Sequence, residues 1–268
     1  MNNGNRIDEM FAKRLASGEK ALITFVTAGD PDLETTRQLV LKMEESGADL
    51  VELGVPYSDP IAEGPVIQEA NIRALKNDVR LDKLFKLVSD LRKDTHIPLV
   101  FLLYVNCILQ YGKAEFFDSC LQHGLDGVIV PDLPFEESDE IYEEAHRKGI
   151  KLIRLVAPSS AARIEMIAAQ AEGFLYCVSS LGVTGMRSNF NTNFSDFFGQ
   201  INKVKRAPCA LGFGISTPEQ VKELKKYCDG IIVGSAIVKK IATAPTNREA
   251  IASVSEFICD LRTALDER

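Results

Sequence analysis

The sequence predicts a (β/α)8 barrel with an extra N-terminal helix, on three observations. Its 268 residues are close to the length of roughly 250 that is typical of one such barrel. Eight short apolar runs recur along the chain, and segments with helical spacing separate them. Continuous apolar runs of this length are typical of strands in a parallel sheet that is buried on both faces.

The eight runs give the predicted strands. They are residues 21–27, 49–55, 98–104, 127–133, 151–157, 174–180, 208–213 and 230–234. A doubly wound open sheet is the alternative, but no G-x-G-x-x-G motif follows the first run. The sequence has no linker, low-complexity segment or internal repeat, so we expect a single TIM-barrel domain over residues 1–268.

The segments between the runs carry helix signals. The extra helix is expected at residues 6–16, where it would close the bottom of the barrel. Further helices are expected at residues 34–46, 137–148, 161–171 and 218–227. Thr217 and Pro218 illustrate the signal, because a capping hydroxyl and a proline in the first turn favour a helix start.

Two intervals between predicted strands are longer than the rest. They follow the second and the sixth strand and contain residues 56–76 and 181–193. In this fold the loops after the strands form the active face, and long loops in compact domains are usually lids or binding loops. We therefore expect the functional loops in these two intervals.

Composition excludes several functional classes. The net charge of -7 argues against a nucleic-acid-binding protein, which needs a basic face. The N-terminus lacks a signal-peptide pattern, and no apolar stretch reaches the roughly 18 residues of a membrane span. Six scattered cysteines without a C-x-x-C pair indicate reduced thiols in a cytoplasmic protein. No cluster has metal-ligand spacing, so no metal is expected.

Three acidic residues stand at the ends of predicted strands or just beyond them. Glu52 interrupts an apolar strand, where a carboxylate is costly to bury. It is either a paired structural acid or a general acid/base with a raised pKa, and the lack of Lys or Arg in the upper half of strands two to four favours the second reading. Glu63 lies in a loop stiffened by prolines, and Asp59 lies in the same loop. Glu63 is either a catalytic partner of Glu52 or a solvated loop acid. Asp132 is a further strand-end acid, with helix capping as the alternative.

The histidines are expected at the opposite end of the barrel. His96, His123 and His146 precede strands or end helices, which places them on the bottom face. Histidine catalysis is therefore not expected.

Glycines after strands seven and eight predict a phosphate site. Gly212 and Gly214 stand at the end of strand seven, and Gly234 precedes Ser235, where a short helix would begin. Backbone N–H groups and the positive end of a helix bind anions, and this position is the frequent phosphate site of the fold. The segment 182–185, with Thr184, is interpreted as a hinged lid or, alternatively, a flexible surface loop.

The stretch VELGVPYSDPIAEGPVIQ at residues 51–68 carries a resemblance. It is long and specific, and supporting stretches at residues 25–31, 130–134, 182–185, 212–216 and 234–238 occur in matching order. The sequence resembles the tryptophan synthase alpha chain family over nearly its whole length. The resemblance implies reversible retro-aldol cleavage of indole-3-glycerol phosphate to indole and glyceraldehyde 3-phosphate.

The resemblance also assigns residues to roles. Glu52 would be the catalytic acid/base, and Glu63 would accept a hydrogen bond from the indole N–H where positive charge develops. The implied substrate contacts are Phe25, Leu102, Tyr104, Tyr176 and Phe213, and the implied phosphate contacts are Gly185, Gly214, Gly234 and Ser235. Asp59 and Thr184 would meet on loop closure. The family usually has Asp where this chain has Glu63, so either the loop is set back or turnover is weakened, since catalytic geometry tolerates only about 0.5 Å.

The resemblance further implies a partner. Family members bind a pyridoxal-phosphate beta chain in an α2β2 complex, here through loop two and residues 67–75, and the alpha chain itself needs no cofactor. Three alternatives stay open: a free-standing indole-3-glycerol phosphate lyase, a weakly catalytic barrel that activates a beta chain, and a phosphosugar isomerase on the same fold.

Overall fold

Eight parallel strands close into a barrel. The computed structural model describes residues 4–178, 193–212 and 214–267. Within them each strand pairs with the next, and the last strand pairs with the first. The strands are β1 Ala21–Thr27, β2 Leu50–Gly54, β3 Leu99–Leu102, β4 Gly127–Ile129, β5 Lys151–Val156, β6 Leu175–Val178, β7 Cys209–Gly212 and β8 Gly230–Val233. The predicted architecture is confirmed.

Helices surround the barrel, and two α-helices follow each of β2, β3 and β8. Over the described residues they are α1 Arg6–Ala16, α2 Leu33–Glu45, α3 Pro65–Leu75, α4 Leu81–Leu91, α5 Val105–Tyr111, α6 Lys113–His123, α7 Asp139–Arg147, α8 Ala161–Ala168, α9 Phe194–Val204, α10 Pro218–Leu224, α11 Ser235–Thr243 and α12 Asn247–Asp266. None of these helices is both long and apolar enough to cross a membrane.

The interval after β2 was expected to be one long loop, and this was wrong. Its second half is α3, which begins at Pro65 after Gly64. Proline is well suited to the first helical turn, where its missing N–H costs nothing. The loop that contains Asp59 and Glu63 is therefore short. It runs from the end of β2 to Gly64, and regular secondary structure holds it at both ends.

Some boundaries also differ from the predicted ones. The run 127–133 forms a strand only as far as Ile129, because Pro131 has no N–H to donate to a neighbouring strand and the N–H of Leu133 bonds back to the carbonyl of Val130 at 3.3 Å. The predicted helix 137–148 is a 3-10 turn, Phe135–Glu137, followed by α7. Apolar character thus continues into the loops past the point where strand pairing stops.

The N-terminal helix α1 closes the bottom of the barrel, as predicted. Ile7 and Phe11 are buried on its inner face, and the ring of Phe11 lies 5.7 Å from that of Phe174. Both residues belong to one apolar cluster with inward-facing strand residues such as Ile23 and Leu50. Helix α1 therefore covers the barrel interior at this end.

Aspartates just before β2, β4 and β8 link the strands at the bottom. Each accepts the backbone N–H of a residue on the preceding strand: Leu22 to Asp49 at 2.8 Å, Leu99 to Asp126 at 2.8 Å and Cys209 to Asp229 at 2.9 Å. Each also binds basic side chains: Arg14 and Arg262, Arg6 and Arg92, and Lys205, respectively. These aspartates fix strand order at the face opposite the predicted site.

Removing one of these carboxylates should destabilise the fold strongly. We expect Asp126→Ala to lower the free energy of unfolding by about 3 kcal/mol or more, because it leaves the buried Arg92 guanidinium without its ion-pair partner. Urea unfolding measures the change. Asp118→Ala is the matched control, because its ion pair with Lys148 is exposed and should contribute less than about 1 kcal/mol. Equal losses in the two variants would contradict the proposed role of Asp126.

Candidate active site

A cavity lies at the open end of the barrel. Eight of the predicted site residues line it: Phe25, Glu52, Glu63, Leu102, Tyr176, Gly214, Gly234 and Ser235. They come from six strands or strand-end loops that are far apart in sequence. The closed barrel brings them together because all its strands point the same way, so their C-terminal ends meet at one face.

Glu52 is a buried acid on β2. Its neighbours in register are Phe25 on β1 and Val100 on β3, and only 1% of its surface is exposed. Among the described residues, neither of its carboxylate oxygens has a hydrogen-bond partner. Burial raises the pKa of Glu52 from its ordinary value to about 8. Glu52 therefore has no described partner that would make it a paired structural acid. Its side chain can carry a proton at neutral pH.

Glu63 faces the same cavity from the loop after β2. Its carboxylate Oε2 accepts a hydrogen bond from the hydroxyl of Tyr104, and its backbone carbonyl accepts one from the Gln68 side chain at 2.8 Å. Burial raises the pKa of Glu63, and the hydrogen bond from Tyr104 opposes that rise. Glu63 is thus a buried, oriented carboxylate, in contrast to the solvated loop acid that was its alternative.

Tyr104 holds this loop through one hydroxyl. Besides donating to Glu63, the Tyr104 oxygen accepts the backbone N–H groups of Ile61 and Ala62, each at 2.9 Å. Its ring stacks on Tyr57 with the centroids 4.8 Å apart. Burial, followed by the contact with Glu63, raises the pKa of Tyr104, so the hydroxyl stays protonated and remains a donor.

The position of Tyr104 corrects the predicted end of strand three, while its role as a substrate contact stays a prediction. It was predicted as the last residue of strand three and as a substrate contact. The strand ends at Leu102, and Tyr104 stands immediately before α5. The cavity lining does not include Tyr104, and its hydrogen bonds reach the lining residues Glu63 and Ala62.

Two strand glycines make room for the aromatic walls, and sequence reasoning did not single them out for this role. A Cβ atom at Gly54 would lie 2.5 Å from the ring of Phe25, and one at Gly212 would lie 2.8 Å from the hydroxyl oxygen of Tyr176. Glycine inside a strand often marks such a close approach. The two rings can therefore occupy the cavity wall only because these positions lack side chains.

The predicted anion site lies on the cavity wall. Helix α11 begins at Ser235, as expected, with Gly234 before it. Gly214, on the β7 side, has a φ of +96°, a left-handed conformation that favours glycine. All three residues line the cavity that contains Glu52. The positive end of α11 is thus available to an anion bound in the same cavity as the acid.

The remaining predicted residues divide into two groups. Thr184, Gly185 and Phe213 lie outside the described residues. Asp59 is exposed, and Asp132 accepts the backbone N–H of Val105 at 2.9 Å, at the start of α5. Asp132 therefore caps a helix, which was its alternative role.

Five cavity residues were not predicted: Ala62, Ile67, Pro131, Leu155 and Ile232. Leu155 and Ile232 belong to the inward-facing cluster of the barrel. The alternation of inward and outward side chains along β5 and β8 could have identified these two. Nothing in the sequence marked the other three, which reach the cavity through the path of their loops and of α3.

The histidines lie away from this cavity. His123 ends α6 before β4, where its Nδ1 lies 2.6 Å from the hydroxyl oxygen of Ser89, and neither His96 nor His146 is among the lining residues. In the part of the chain that the structure describes, no group of three or more His, Cys, Asp or Glu side chains is arranged to hold a metal ion. All six cysteines are free thiols.

Comparison of the sequence with protein families identifies one match. Residues 11–265 match the family model described as tryptophan synthase alpha chain. A tryptophan synthase alpha chain from Thermoanaerobacter sp. (strain X514) is 48% identical over 261 residues, which cover 97% of this chain and 100% of the relative. One from Alkaliphilus metalliredigens is 51% identical over 240 residues, or 90% of each chain.

Solved structures agree with the sequence comparison. The tryptophan synthase alpha chain of Legionella pneumophila superposes with a TM-score of 0.89 at 35% identity, covering 98% of this chain and 97% of that one. A chain from the tryptophan synthase α2β2 complex of Pyrococcus furiosus superposes with a TM-score of 0.83 at 37% identity, covering 91% and 98%. The architecture and the order of elements are therefore shared with these proteins.

Proposed function

The chain belongs to the tryptophan synthase alpha chain family, and we propose from this premise that Glu52 and Glu63 carry out the family's reaction in the cavity described above. That reaction is the reversible retro-aldol cleavage of indole-3-glycerol phosphate to indole and glyceraldehyde 3-phosphate, and the chain is a lyase of this type. The observation that carries the assignment of residues is the buried Glu52 carboxyl in a cavity that the N-terminus of α11 also lines.

Glu52 supplies and recovers the proton. With a pKa raised to about 8, its carboxyl group is neutral at pH 7 and protonates C3 of the indole ring. The bond between C3 and the glycerol chain then breaks as the ionised Glu52 removes the proton from the adjacent hydroxyl group, which becomes the aldehyde. One proton enters and one returns, so the residue ends the cycle as it began. An apolar site suits this exchange because it keeps the acid and base forms close in free energy.

Glu63 stabilises the charge that this transfer creates. Protonation at C3 places positive charge on the indole nitrogen, and a carboxylate that accepts the N–H hydrogen bond lowers the energy of that state. Support comes from the orientation of Glu63 by Tyr104 before any substrate arrives. Phe25, Leu102 and Tyr176 would form the apolar walls of the indole site.

The phosphate would bind at Gly214, Gly234 and Ser235, on the N-terminus of α11. Binding there leaves the glycerol carbons between the phosphate and Glu52. The residues 184, 185 and 213 would complete the site, with Asp59 meeting Thr184 on loop closure. None of these roles requires a metal or cofactor in this chain.

A beta chain is the proposed partner, in an α2β2 complex, with pyridoxal phosphate bound only by that partner. Exposed apolar side chains support a docking face beside the cavity: Ile61 is 73% exposed, Ile72 56% and Leu109 45%. Ile61 and Ile72 lie within the expected contact through loop two and residues 67–75, and Leu109 on α5 lies outside it. We also propose a cytoplasmic location, since six free thiols suit a reducing compartment.

The reaction is tested by incubating the purified chain with indole-3-glycerol phosphate and following indole, with and without a beta chain. We expect indole in both cases, with faster release in the complex. Full activity without a partner would favour a free-standing lyase, and beta-chain stimulation with almost no indole would favour a weakly catalytic activator. If the chain ignores the indole substrate and isomerises an aminosugar phosphate, the proposed function is wrong.

A further inference from the structure

A second cavity adjoins the first one, at the ends of β4 and β5. It shares Ala62, Pro131 and Leu155 with the proposed active site. Its walls are largely apolar, with contributions from Leu133, Phe135, Leu152, Val156 and Ile167. The charged side chains that line it are Asp132, Arg154 and Arg163. None of the proposed catalytic or phosphate contacts depends on this cavity.

Arg154, on β5, is the unusual member of this lining. The residue is only 9% exposed, and its guanidinium carbon lies 5.1 Å from the ring centre of Phe135 and 5.5 Å from that of Tyr142. No hydrogen-bond acceptor and no ion-pair partner for it lies among the described residues. A guanidinium carries five N–H donors, and Arg154 lines the cavity, so a molecule bound there could reach them. The arginine therefore has donors without a protein acceptor in the described structure.

The charged groups around Arg154 have partners of their own. Asp132 accepts the backbone N–H of Val105, and Arg163 forms an ion pair with Glu136 at the exposed rim. Asp139 and Glu172 interact electrostatically with Arg154 but lie beyond ion-pair distance of it. Glu172 accepts a hydrogen bond from the hydroxyl of Tyr142 at 2.7 Å. Arg154 is thus the cation of this cavity whose charge no described neighbour neutralises directly.

We propose that Arg154 is the recognition residue of a second binding site, which takes a small organic anion with a carboxylate or phosphate head and an apolar body. Cation–π contacts with two aromatic rings hold the guanidinium in place, and its fork of N–H donors can pair with the two oxygens of such a head group. The apolar body would lie against Leu133, Val156 and Ile167. The proposal concerns a site separate from the one that cleaves the indole substrate and holds whether or not that function is correct.

The test uses 4-bromobenzoate as the carboxylate probe and 4-bromobenzyl phosphate as the phosphate probe, with neutral 4-bromobenzamide as the isosteric control. Crystals of the whole chain are soaked with each, and bromine anomalous density locates the probe, which distinguishes this cavity from the active site. We expect an anionic head on Arg154 in the second cavity and no density there for the amide. Comparison of the two acids identifies which head group the site prefers.

Binding in solution completes the test. We expect Arg154→Met to raise the Kd of the preferred anion about tenfold or more, the usual effect of losing a charge-assisted hydrogen bond, and Arg154→Lys to restore part of the affinity. Arg163→Met, at the ion-paired rim, should change it much less. Anion density confined to the active site, binding of the amide as good as that of the acids, or an unchanged Kd in folded Arg154→Met or Arg154→Lys would overturn the proposal. The amide comparison needs no variant, so it decides even if the substitutions prevent folding.

Discussion

Glu52→Gln is expected to lower kcat for indole formation by about 10²- to 10⁴-fold, the range that a positioned general acid/base contributes. The substitution keeps the size of the side chain in the cavity but removes its transferable proton. Because the proposed phosphate contacts are other residues of the cavity, we expect KM to change little. Initial rates of indole release from indole-3-glycerol phosphate measure the effect, and near-normal turnover would exclude Glu52 as the catalyst.

The same variant should be more stable than the wild type at neutral pH. In the unfolded chain Glu52 ionises near 4.5, whereas the folded protein holds the proton up to about pH 8. Because the folded state holds this proton more tightly than the unfolded chain, the raised pKa makes the free energy of unfolding depend on pH. The contribution is complete below pH 4.5 and is lost as the pH rises toward 8, at about 1.4 kcal/mol per pH unit. Gln cannot ionise, so at pH 7 it should raise the free energy of unfolding by about 1–3 kcal/mol, after the cost of an unpaired buried amide. This gain also serves as the control that the variant is folded.

Glu63→Gln is expected to lower kcat by about 10²-fold, because a neutral amide cannot balance positive charge on the indole nitrogen. We expect the shorter carboxylate of Glu63→Asp to lower kcat by roughly tenfold instead of raising it. In this chain the carboxylate reaches Tyr104, and shortening the side chain would break that contact and misplace the charge. Steady-state kinetics of both variants measure the two effects.

Tyr104→Phe provides the control for Glu63. Removing the hydroxyl should lower kcat in the wild-type background but have a much smaller effect in the Glu63→Asp background, because the contact it supports is already lost there. Its loss should also raise the pKa of Glu63, since the hydrogen bond from Tyr104 opposes the effect of burial. A large rate increase in Glu63→Asp would contradict this account and would mean that Glu63 is a handicap in a loop built for Asp.

The fold was predictable because the signals for it are local. Apolar runs mark strands that are buried on both faces, and the extra helix α1 has the predicted bounds, Arg6–Ala16. Glu52 was recognisable because a carboxylate inside an apolar strand is costly. The glycines at the ends of β7 and β8 were recognisable for a similar reason, since their positions in a barrel determine what they face.

Other features depend on contacts between distant parts of the chain, and the sequence does not display these. Tyr104 binds a loop 41 residues before it, which no local pattern indicates. The role of the aspartates below β2, β4 and β8 is not predictable in this way, because a single acid before a strand resembles an ordinary turn residue. Likewise, the sequence does not show that the rings of Phe135 and Tyr142 pack against Arg154.

The most direct test of the central claim is to titrate the side-chain carboxyl carbon of Glu52 by NMR, in protein labelled with ¹³C at the glutamate carboxyl groups. The spectrum of Glu52→Gln assigns the resonance, because that signal alone should vanish. The account predicts a midpoint near pH 8 for Glu52, with the group protonated at neutral pH. A midpoint near the ordinary value of about 4.5 would mean that Glu52 is already ionised at pH 7 and cannot be the acid that protonates the indole ring.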